Sequence, residues 1–419
     1  MAYKNVAAII LAAGEGNRMK SGLPKVLHPI CARAMLSYVL DLVRGLRVAR
    51  SVPVLGYKYK EVQKILGQGS KFAIQRRLLG TADAVKCGLK LLGNFKGTIL
   101  ILYGDAPLLK KETLKKLLKH HIKNELDATV LCVKVDNPAG YGRVLRDKYF
   151  NLSGIREDRD TDDFEREIKE VNTGIICFKK ESLLKALREV KANNRKKEYY
   201  LTDTIGIIYK NGGLIESVTI KDINEAIGIN SRKDLARANA VMQGLINDEF
   251  MKQGVSIVDS GSTFISYGAH IGQDTTIYPF TVIERDVKIG RNCSIGPFAH
   301  LKEGTVLGDE VVVGNFVEIV RSQISKKTWA KHFGYIGDSR IGARVNMGAG
   351  CVTANFDGRN KYTTVIGDDA FIGSDTVLVA PVKVGKRART GAGSVVTKNS
   401  NIAQGTTVVG VPARLLIKK

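Results

Sequence analysis

The sequence predicts an α/β protein of two parts, an α/β domain with a mostly parallel sheet followed by a parallel β-helix. Two observations carry this prediction. Short apolar segments alternate with helical patterns over residues 1–230, and a six-residue apolar period begins after Gly254. The stretch between them reads as one helix. We therefore expect a first domain at 1–230, a linker helix at 231–253 and a second domain at 254–419.

The first part alternates strand and helix signals. Strands are predicted at residues 6–11, 51–55, 98–102, 128–135 and 174–178, and helices at 35–46, 81–92 and 112–121. Such alternation favours a mostly parallel sheet. Ligands of parallel sheets bind beyond the carboxyl ends of the strands, so a site is expected where the first strand ends.

A glycine-rich loop, LAAGEGNRMKSGLPK at residues 11–25, lies at that place. It lacks the pattern G-x-x-x-x-G-K-[ST]. It also lacks the third glycine of G-x-G-x-x-G, because Met19 stands there. The loop therefore matches neither of the two best-known phosphate-binding loops, although Arg18 and Lys25 give it positive charge.

The six-residue period in the second part is the signature of a β-helix. Neither a helix, with a period of 3.6, nor a simple strand, with a period of 2, produces it. The apolar positions are Ile265, Ile271, Ile277, Ile283, Ile289, Ile295, Leu301, Leu307, Val313 and Ile319, and then Ile366, Ile372, Leu378 and Val384. Residues 348–364 interrupt the period. We expect a loop there that forms a binding surface, the alternative being a merely tolerated insertion.

Composition narrows the class of partner. The chain has 44% hydrophobic and 25% charged residues, and its net charge of +24 favours anionic ligands. Lysines fall largely on helix faces, as in residues 110–123, without interleaved aromatic residues, so nucleic-acid binding is disfavoured. Six isolated cysteines favour reduced thiols. With a strand by Val6 and no long apolar run, we expect a cytoplasmic protein without a membrane partner.

Longer motifs carry a resemblance to a known family. In the first part they are residues 11–25, LGTADA (79–84), LYGDAPL (102–108), NPAGYGRV (137–144), EVNTGI (170–175) and EYYLTD (198–203). In the second they are GNFVE (314–318), NMGAG (346–350), ANFDGRNK (354–361) and IGSDTVLVAPV (372–382). The whole chain closely resembles the bifunctional N-acetylglucosamine-1-phosphate uridyltransferase/glucosamine-1-phosphate acetyltransferase family (GlmU).

The resemblance implies a Rossmann-like nucleotidyltransferase domain followed by a left-handed parallel β-helix of hexapeptide repeats that carries an acetyltransferase. It implies Mg²⁺ as cofactor, UTP, acetyl-CoA and an amino-sugar-1-phosphate as substrates, and a homotrimer. The product would be UDP-N-acetylglucosamine.

The resemblance also assigns the first site. Arg18 and Lys25 would neutralise charge on the α-phosphate of UTP, while Gly14 and Gly16 let the backbone approach the triphosphate. Asp105 and Asn230 would bind Mg²⁺ through hard oxygen ligands. The nucleotide- and sugar-binding residues would be Leu11, Ala12, Ala13, Gly14, Lys25, Gln75, Gly80, Thr81, Tyr103, Gly104, Asp105, Gly140, Glu157, Asn172 and Asn230. Among them, Gln75, Gly80 and Thr81 would read the uracil, and Gly140, Glu157 and Asn172 would hold the sugar. Near the first group, Leu78 stands where the family often has a polar residue.

The second site is assigned in the same way. His332 aligns with the family's general base, a task that suits a group titrating near neutral pH. Sugar-phosphate contacts would come from Lys302, Glu318, Tyr335, Asn346 and Lys361. The acetyl-CoA surface would be formed by Ala349, Asn355, Phe356, Ser374 and Ala392.

Three departures from the family pattern leave other functions open. Lys302 replaces an arginine and loses its bidentate fork, Val320 replaces a lysine beside Arg321, and Gly410 replaces an arginine for which Arg414 could substitute. One alternative is a nucleotidyltransferase alone, with a lost or altered acetyl acceptor site. Another is a non-catalytic scaffold, which would not need to retain Arg18, Lys25, Asp105 and Asn230.

Overall fold

The computed structural model describes residues 3–416. The chain divides into two compact units, Met1–Val241 and Met242–Lys419. The first is an α/β unit and the second a stack of short parallel strands, as expected from the two kinds of sequence periodicity. The division falls within one helix, Arg232–Lys252.

The first unit contains the strands β1 Tyr3–Ala12, β2 Pro29–Ile30, β3 Arg33–Ala34, β4 Val48–Leu55, β5 Ala73–Ile74, β6 Thr98–Tyr103, β7 Ala128–Lys134, β8 Arg143–Arg146, β9 Leu152–Arg156, β10 Glu170–Lys179 and β11 Ile215–Ile220. Its helices are α1 Met35–Leu46, α2 Tyr59–Gln63, α3 Thr81–Leu92, α4 Lys111–Lys123, α5 Asp163–Arg166, α6 Lys180–Glu189 and α7 Asp203–Lys210, and α8 Arg232–Lys252 follows. Short 3₁₀ turns lie at Asn17–Met19, Lys25–Leu27, Asp158–Asp160 and Ile223–Ala226.

The main sheet has the order β11-β7-β10-β6-β1-β4-β5. Strand β1 pairs in parallel with β4 and β6, and β11 with β7, while β10 runs antiparallel between β6 and β7. The sheet is thus mostly parallel, with one reversed strand inside it. Every side chain from Val6 to Ala12 in β1 is buried, because a strand with elements on both faces exposes neither.

The carboxyl ends of β1 and β6 lie side by side. Leu11 pairs with Tyr103, and the Gly104 amide donates a 2.9 Å hydrogen bond to the Leu11 carbonyl. The glycine-rich loop and Asp105, which follow these two strands, are therefore brought to one edge of the sheet. This is the edge at which ligands of parallel sheets bind.

In the second unit, three parallel sheets form three faces. Face 1 contains Ser256–Ile257, Thr276–Ile277, Ser294–Ile295, Val312–Val313, Trp329–Ala330, Asn346–Met347, Phe371–Ile372, Arg389–Thr390 and Thr407–Val409, with Arg414–Leu415 antiparallel at its end. Face 2 contains Phe264–Ile265, Val282–Ile283, His300–Leu301, Val317–Val320, Gly334–Gly337, Val352–Ala354, Val377–Val379 and Val395–Val396. Face 3 contains His270–Ile271, Lys288–Ile289, Val306–Leu307, Gln323–Ile324, Ser339–Ile341, Thr364–Ile366 and Val382–Val384.

The six-residue apolar period forms the core of this stack. Ile265, Ile283, Leu301 and Ile319 pair in successive coils of face 2, and all four are fully buried. The corners between faces repeatedly use residues with left-handed φ, such as Asp274 at 60°. Asp and Asn tolerate that conformation better than most residues, so they recur at these corners.

The interruption in the stack is shorter than the sequence suggests. The period shortens to five residues between Ile319 and Ile324 and again between Ile336 and Ile341, which shifts the register. Strand Val352–Ala354 still pairs in register with Val377–Val379, so the inserted loop covers only residues 355–363. The sequence pattern breaks earlier because Thr353, not an aliphatic residue, occupies the core position there.

None of the helices formed within residues 3–416 combines the length and apolar composition that a membrane span requires.

Candidate functional site

The glycine-rich loop turns sharply after β1. Gly16 adopts a left-handed φ of 72°, and a Cβ atom at this position would lie 2.5 Å from the Lys25 Cβ. Only glycine therefore lets the loop pack directly over Lys25. A Cβ at Gly14 would have no heavy atom within 4 Å, which leaves space for a ligand at that part of the loop.

Two basic side chains of this loop differ in their surroundings. Arg18 is exposed and makes no hydrogen bond or ion pair with another residue between positions 3 and 416. Lys25 is only 14% exposed, and its Nζ contacts the Asp105 carboxylate and lies 3.2 Å from the Asn230 Oδ1. The Arg18 guanidinium can thus bind an anion from solvent. The Lys25 ammonium is instead bound by Asp105 and Asn230, the two predicted metal ligands.

Asp105 and Asn230 are fixed by their own backbone contacts. The Ile229 amide donates to the Asp105 carbonyl at 3.0 Å, which ties the segment before α8 to the end of β6. The Asn230 backbone amide donates to the Asp234 Oδ2 at 3.1 Å. The Nδ2 of the Asn230 side chain lies 3.4 Å from the Gly228 carbonyl oxygen. The Asn230 Oδ1 is therefore turned toward Lys25 and Asp105.

This donor set fits Mg²⁺. A carboxylate oxygen and an amide oxygen converge on a single positive charge, the Lys25 ammonium, so both can reach one cation. Mg²⁺ prefers such hard oxygen ligands and commonly takes only one or two from protein, with water and phosphate oxygens completing its octahedron. Residues 3–416 contain no cluster of three or more His, Cys, Asp or Glu arranged for a metal.

The predicted uracil-reading residues lie between the end of β5 and the start of α3. The buried Gln75 donates through Nε2 to the Gly80 carbonyl at 3.0 Å and to the Asp83 Oδ2 at 2.9 Å. Its Oε1 is thereby oriented as the remaining acceptor. Gly80 has a left-handed φ of 114°, and a Cβ there would lie 2.5 Å from the Tyr199 carbonyl oxygen. Leu78, the departure from the family pattern, is 43% exposed.

The predicted sugar-binding residues form a second cluster. Glu157 accepts a 2.8 Å hydrogen bond from the Thr202 hydroxyl, and burial raises the pKa of its carboxyl. The Asn172 Oδ1 accepts from the Gly174 amide at 2.9 Å. Gly140 has a left-handed φ of 87° with no heavy atom within 4 Å of a Cβ position. These contacts fix the Glu157 and Asn172 side chains.

Tyr103 connects this cluster with the metal-ligand cluster. It lies at the end of β6, where burial, followed by the nearby Glu157 and Asp105 carboxylates, raises the pKa of its hydroxyl. Thr81 lies near the Tyr103 hydroxyl, and its Oγ1 accepts a hydrogen bond from the Leu201 amide at 2.9 Å. The structure thus brings Thr81, Tyr103, Asp105 and Glu157 into one region.

Sequence reasoning gave no role to Thr202 or Asp203, although it identified their motif, EYYLTD. Both residues border Glu157. Burial, together with the nearby Glu157 carboxylate, raises the pKa of Asp203 to about 6. The signal was present in the motif itself, but the motif does not indicate which of its side chains faces the site.

In the second unit, three predicted sugar-phosphate residues meet on face 2. Lys302 Nζ lies 3.0 Å from the Glu318 Oε1, and Glu318 pairs with Tyr335 in the next coil. Gly337, two residues further on, has no side chain. A Cβ there would lie 2.6 Å from the Tyr335 hydroxyl and 2.7 Å from the Asn355 Nδ2, so glycine permits both groups to approach.

Arg321, the basic residue next to Val320, forms an ion pair. The Arg321 guanidinium contacts the Asp338 carboxylate at 2.6 and 2.8 Å, and Asp338 also accepts a hydrogen bond from the Asn355 amide. The Arg321 guanidinium, followed by the Asn355 hydrogen bond and the nearby Lys361, lowers the pKa of Asp338, although burial opposes this shift. Val320 itself is buried. Arg321 therefore does not offer a free cation in place of the family's lysine.

The remaining predicted acetyl-transfer residues are more dispersed. His332 and Phe356 are exposed, and the described residues offer His332 no hydrogen-bond partner. Asn346 lies on face 1, not on face 2 with Glu318. Among the described residues, no hydrogen bond or ion pair joins His332 to Glu318, Tyr335 or Lys302.

Three predicted acetyl-CoA residues form a column of small side chains. The Asp375 amide donates to the Ala349 carbonyl at 2.6 Å, and the Gly393 amide donates to the Ser374 carbonyl at 2.8 Å. Ala349, Ser374 and Ala392 therefore occupy equivalent places in successive coils. Small side chains at this corner leave room for an extended ligand along the stack.

The backbone conformation explains why Gly410 stands where the family has an arginine. Gly410 has a left-handed φ of 94°, which an arginine would adopt only with strain. Arg414 lies in the last strand and is exposed, with no ion pair inside the described range 3–416.

Comparisons with known proteins agree with the two units. Residues 7–224 match the Nucleotidyl transferase family, and residues 268–302, 286–321 and 363–398 match the Bacterial transferase hexapeptide (six repeats) family. These matches confirm the predicted fold class, a Rossmann-like nucleotidyltransferase domain followed by a left-handed parallel β-helix.

Several relatives are similar over nearly the full chain, and each is named Bifunctional protein GlmU. The relative from Geobacillus sp. (strain WCH70) is 42% identical over 93% of this chain and 92% of its own length. That from Thermosipho africanus (strain TCF52B) is 42% identical, with 98% and 96% covered. That from Bacillus subtilis (strain 168) is 39% identical, with 94% and 93% covered. The prediction from the sequence motifs is confirmed: the chain belongs to the GlmU family of bifunctional proteins.

Proposed function

We propose that the chain is a bifunctional transferase of UDP-N-acetylglucosamine synthesis. Its second unit acetylates glucosamine-1-phosphate from acetyl-CoA, and its first unit then transfers a uridylyl group from UTP to N-acetylglucosamine-1-phosphate. Membership of the GlmU family and the two family matches support both activities. The observation that carries the first activity is the convergence of Lys25, Asp105 and Asn230 at the sheet edge, beside the glycine-rich loop.

In the first reaction, an oxygen of the sugar phosphate attacks the α-phosphorus of UTP, and pyrophosphate leaves. The protein's task is to align the two anions and to neutralise the charge that accumulates between them. Arg18 would bind phosphate oxygens with its exposed guanidinium, and the loop amides around Gly14 would face the triphosphate. Mg²⁺, held by Asp105 and Asn230, would supply further charge neutralisation and fix the phosphate geometry.

Specificity in this site would come from two sets of fixed polar groups. The Gln75 Oε1, oriented by the two hydrogen bonds of Nε2, would accept from the uracil N–H. Glu157 and Asn172, each held by an internal hydrogen bond, would bind hydroxyl and acetamido groups of the sugar. Groups that are oriented before binding lose little entropy on binding, and they reject ligands that leave them unpaired.

In the second reaction, the 2-amino nitrogen of glucosamine-1-phosphate attacks the thioester carbonyl of acetyl-CoA. His332 would take a proton from the 2-amino group as this nitrogen forms the new bond to the carbonyl carbon. The carbon–sulfur bond would then break, and the thiolate of coenzyme A would leave with that proton as the thiol. Glu318, with Lys302 and Tyr335 beside it, would orient the amine and the sugar phosphate. The column of Ala349, Ser374 and Ala392 would carry the extended pantetheine chain.

A homotrimer is part of this proposal. The hexapeptide repeats support it, and so does the position of Asn346 on face 1 while Glu318 lies on face 2, because a site between neighbouring subunits would combine residues of different faces. A column of exposed rings supports it further. Phe280, Phe298 and Phe316 stack with centroids 4.9 and 5.0 Å apart and remain 45–59% exposed, which favours burial against a second copy.

A cytoplasmic location and small-molecule partners complete the proposal. All six cysteines are free in the structure, and two of them, Cys132 and Cys177, lie in the core of the first unit. Unpaired thiols are typical of a reducing compartment.

The second candidate is a nucleotidyltransferase without acetyl transfer. The ion pair between Arg321 and Asp338 favours it, because no free cation then replaces the lysine that the family has at Val320. The first unit would keep its function, and the β-helix would serve assembly.

A pair of assays separates these functions. Pyrophosphate release from UTP and N-acetylglucosamine-1-phosphate, in the presence of Mg²⁺, measures the first activity. Thiol release from acetyl-CoA and glucosamine-1-phosphate measures the second. We expect both pyrophosphate release and thiol release. Pyrophosphate release alone would support the nucleotidyltransferase without acetyl transfer. The absence of both activities would support a non-catalytic scaffold.

Two variants assign each activity to its unit. Asp105→Ala should abolish pyrophosphate release and leave thiol release unchanged. His332→Ala should do the reverse. If either substitution removed both signals, the two sites would not be independent, and unchanged thiol release in His332→Ala would exclude His332 as the base.

A further inference from the structure

The Lys25 ammonium occupies the position that the two proposed metal ligands define. Its Nζ contacts the Asp105 carboxylate and lies 3.2 Å from the Asn230 Oδ1, so one cationic group is bound to both oxygens. The pair is mostly shielded from solvent, with Lys25 14% and Asp105 13% exposed. A charge pair in such surroundings is screened less by water and salt than a surface pair.

A divalent cation and this ammonium compete for the same oxygens. The Lys25 ammonium contacts Asp105 Oδ2 and Asn230 Oδ1, which are the oxygen pair that would face a metal held by both residues. A metal that binds this pair displaces the ammonium, because two cations in contact with the same oxygens repel each other. An ammonium that leaves a carboxylate in a shielded place needs another anion, and the phosphate oxygens of the substrates are the anions that the site would receive.

The backbone that carries the two ligands does not depend on Lys25. The Ile229 amide donates to the Asp105 backbone carbonyl, and Asn230 is held by Asp234 and Gly228. Removing the ammonium would therefore leave both residues at the same edge of the sheet, with the Asp105 carboxylate released from its ion pair. Lys25 is in turn fixed from the other side, because Gly16 packs against its Cβ.

From these contacts we infer that Lys25 sets the order of binding at this site. The inference rests on the proposed function. Lys25 hinders the binding of a free divalent metal ion. The site accepts the metal together with a phosphate ligand, because the Lys25 ammonium then moves from Asp105 to a phosphate oxygen. Lys25 thus determines specificity for a metal–nucleotide complex over the bare ion, besides neutralising charge during the reaction.

The test measures Mn²⁺, a paramagnetic substitute for Mg²⁺, binding to the full chain without nucleotide or sugar. Free and bound Mn²⁺ are distinguished by electron paramagnetic resonance. We expect Lys25→Met to bind Mn²⁺ at least about tenfold more tightly than the wild type, because a lost charge-assisted hydrogen bond no longer competes. Lys25→Gln provides a second variant, should the methionine disturb folding.

Lys20→Met is the matched control. Lys20 lies in the same loop and is exposed, so its removal changes the net charge equally without freeing Asp105. Its Mn²⁺ affinity should equal that of the wild type. Adding Asp105→Asn to Lys25→Met should remove the gain.

The outcomes separate the inference from the proposal beneath it. Equal Mn²⁺ affinity in the wild type and both Lys25 variants, with loss on Asp105→Asn, would overturn the inference and leave the metal site standing. Affinity that is indifferent to Asp105 in every variant would overturn both. An equal gain in Lys20→Met would reduce the effect to general electrostatics and also overturn the inference.

Discussion

The Thr202 hydroxyl donates a 2.8 Å hydrogen bond to the Glu157 carboxylate, across 45 positions of the chain. Thr202 is 4% exposed, and its neighbour Leu201 donates from its amide to the Thr81 hydroxyl. One short segment thus fixes a group on the sugar side and a group at the start of α3. We regard Thr202 as a positioning residue, because it acts on the substrate through Glu157.

Thr202→Val removes this hydrogen bond while it keeps the shape of the side chain. A buried carboxylate that loses a donor costs about 1–3 kcal/mol. We expect the KM for N-acetylglucosamine-1-phosphate to rise about tenfold in the pyrophosphate assay, with a smaller change in kcat. Thr202→Ser, which restores a hydroxyl, should return KM toward the wild-type value; if it does not, Thr202 acts through packing instead.

The raised pKa of Asp203 predicts that the free energy of unfolding depends on pH. Its pKa in the folded chain is about 6, raised from 3.8 by burial and by Glu157, so the folded state holds this proton more tightly than the unfolded state does. Stability from this group is therefore present at low pH and lost as pH rises toward and through about 6. Asp203→Asn should raise Tm at pH 8.

Because Asp203 is partly exposed, we expect a stabilisation of about 1–2 kcal/mol at pH 8, less than the full shift would give. The measurement is thermal unfolding of the wild type and Asp203→Asn at pH 4 and pH 8. The difference in Tm should be larger at pH 8. A difference that is equal at both pH values would rule out the Asp203 carboxyl as its source.

Gly16→Ala tests the packing of the glycine-rich loop. The substitution forces a Cβ to within 2.5 Å of the Lys25 Cβ, at a left-handed φ that itself costs about 1–2 kcal/mol. We expect pyrophosphate release to fall at least about tenfold and thiol release to stay unchanged. Gly22→Ala is the control in the same loop, since a Cβ there has no heavy atom within 4 Å. Equal losses in both variants would show that the loop tolerates no change of any kind.

Phe298→Glu tests the proposed contact between copies of the chain. Phe298 stacks between Phe280 and Phe316, so a carboxylate at its place would be buried in any interface that covers the column. We expect the trimer to dissociate in analytical ultracentrifugation, with loss of thiol release. Phe150→Glu is the control, because Phe150 is 80% exposed in the first unit. A trimer that survives Phe298→Glu would place the interface elsewhere.

The β-helix could be predicted almost completely from the sequence. One aliphatic side chain per six residues is a requirement of the narrow core, so the period is visible wherever Ile, Leu or Val fills it. The shorter steps at Ile324 and Ile341 and the core residue Thr353 could not be predicted in this way. A buried threonine has the same sequence signal as a threonine in a loop, and only its hydrogen bonds to neighbouring coils distinguish the two.

The first site was predictable in outline. Parallel pairing of β1 with β6 brings the glycine-rich loop and Asp105 to one edge, and the sequence indicates both strands. The direct contact of Lys25 with Asp105 and Asn230 could not be predicted, because it depends on the path of the loop and on a segment 205 positions away. Thr202 was missed for a similar reason: its role is to hold Glu157, and the chemistry of an isolated hydroxyl does not suggest that role.

Most coils of the second unit pair through residues 18 apart, as in Ile265 with Ile283 and Ile283 with Leu301. Each coil meets only the one before it and the one after it. A whole coil can therefore be gained or lost between homologous chains, while the remaining coils still pair with neighbours of the same shape. Changes of other lengths must be absorbed at a corner, as where Leu307 pairs with Ile324 and Ile319 with Ile336 at one residue less than the usual spacing, or must project outward as residues 355–363 do. The length of this domain can accordingly evolve in discrete steps without altering the chemistry it carries.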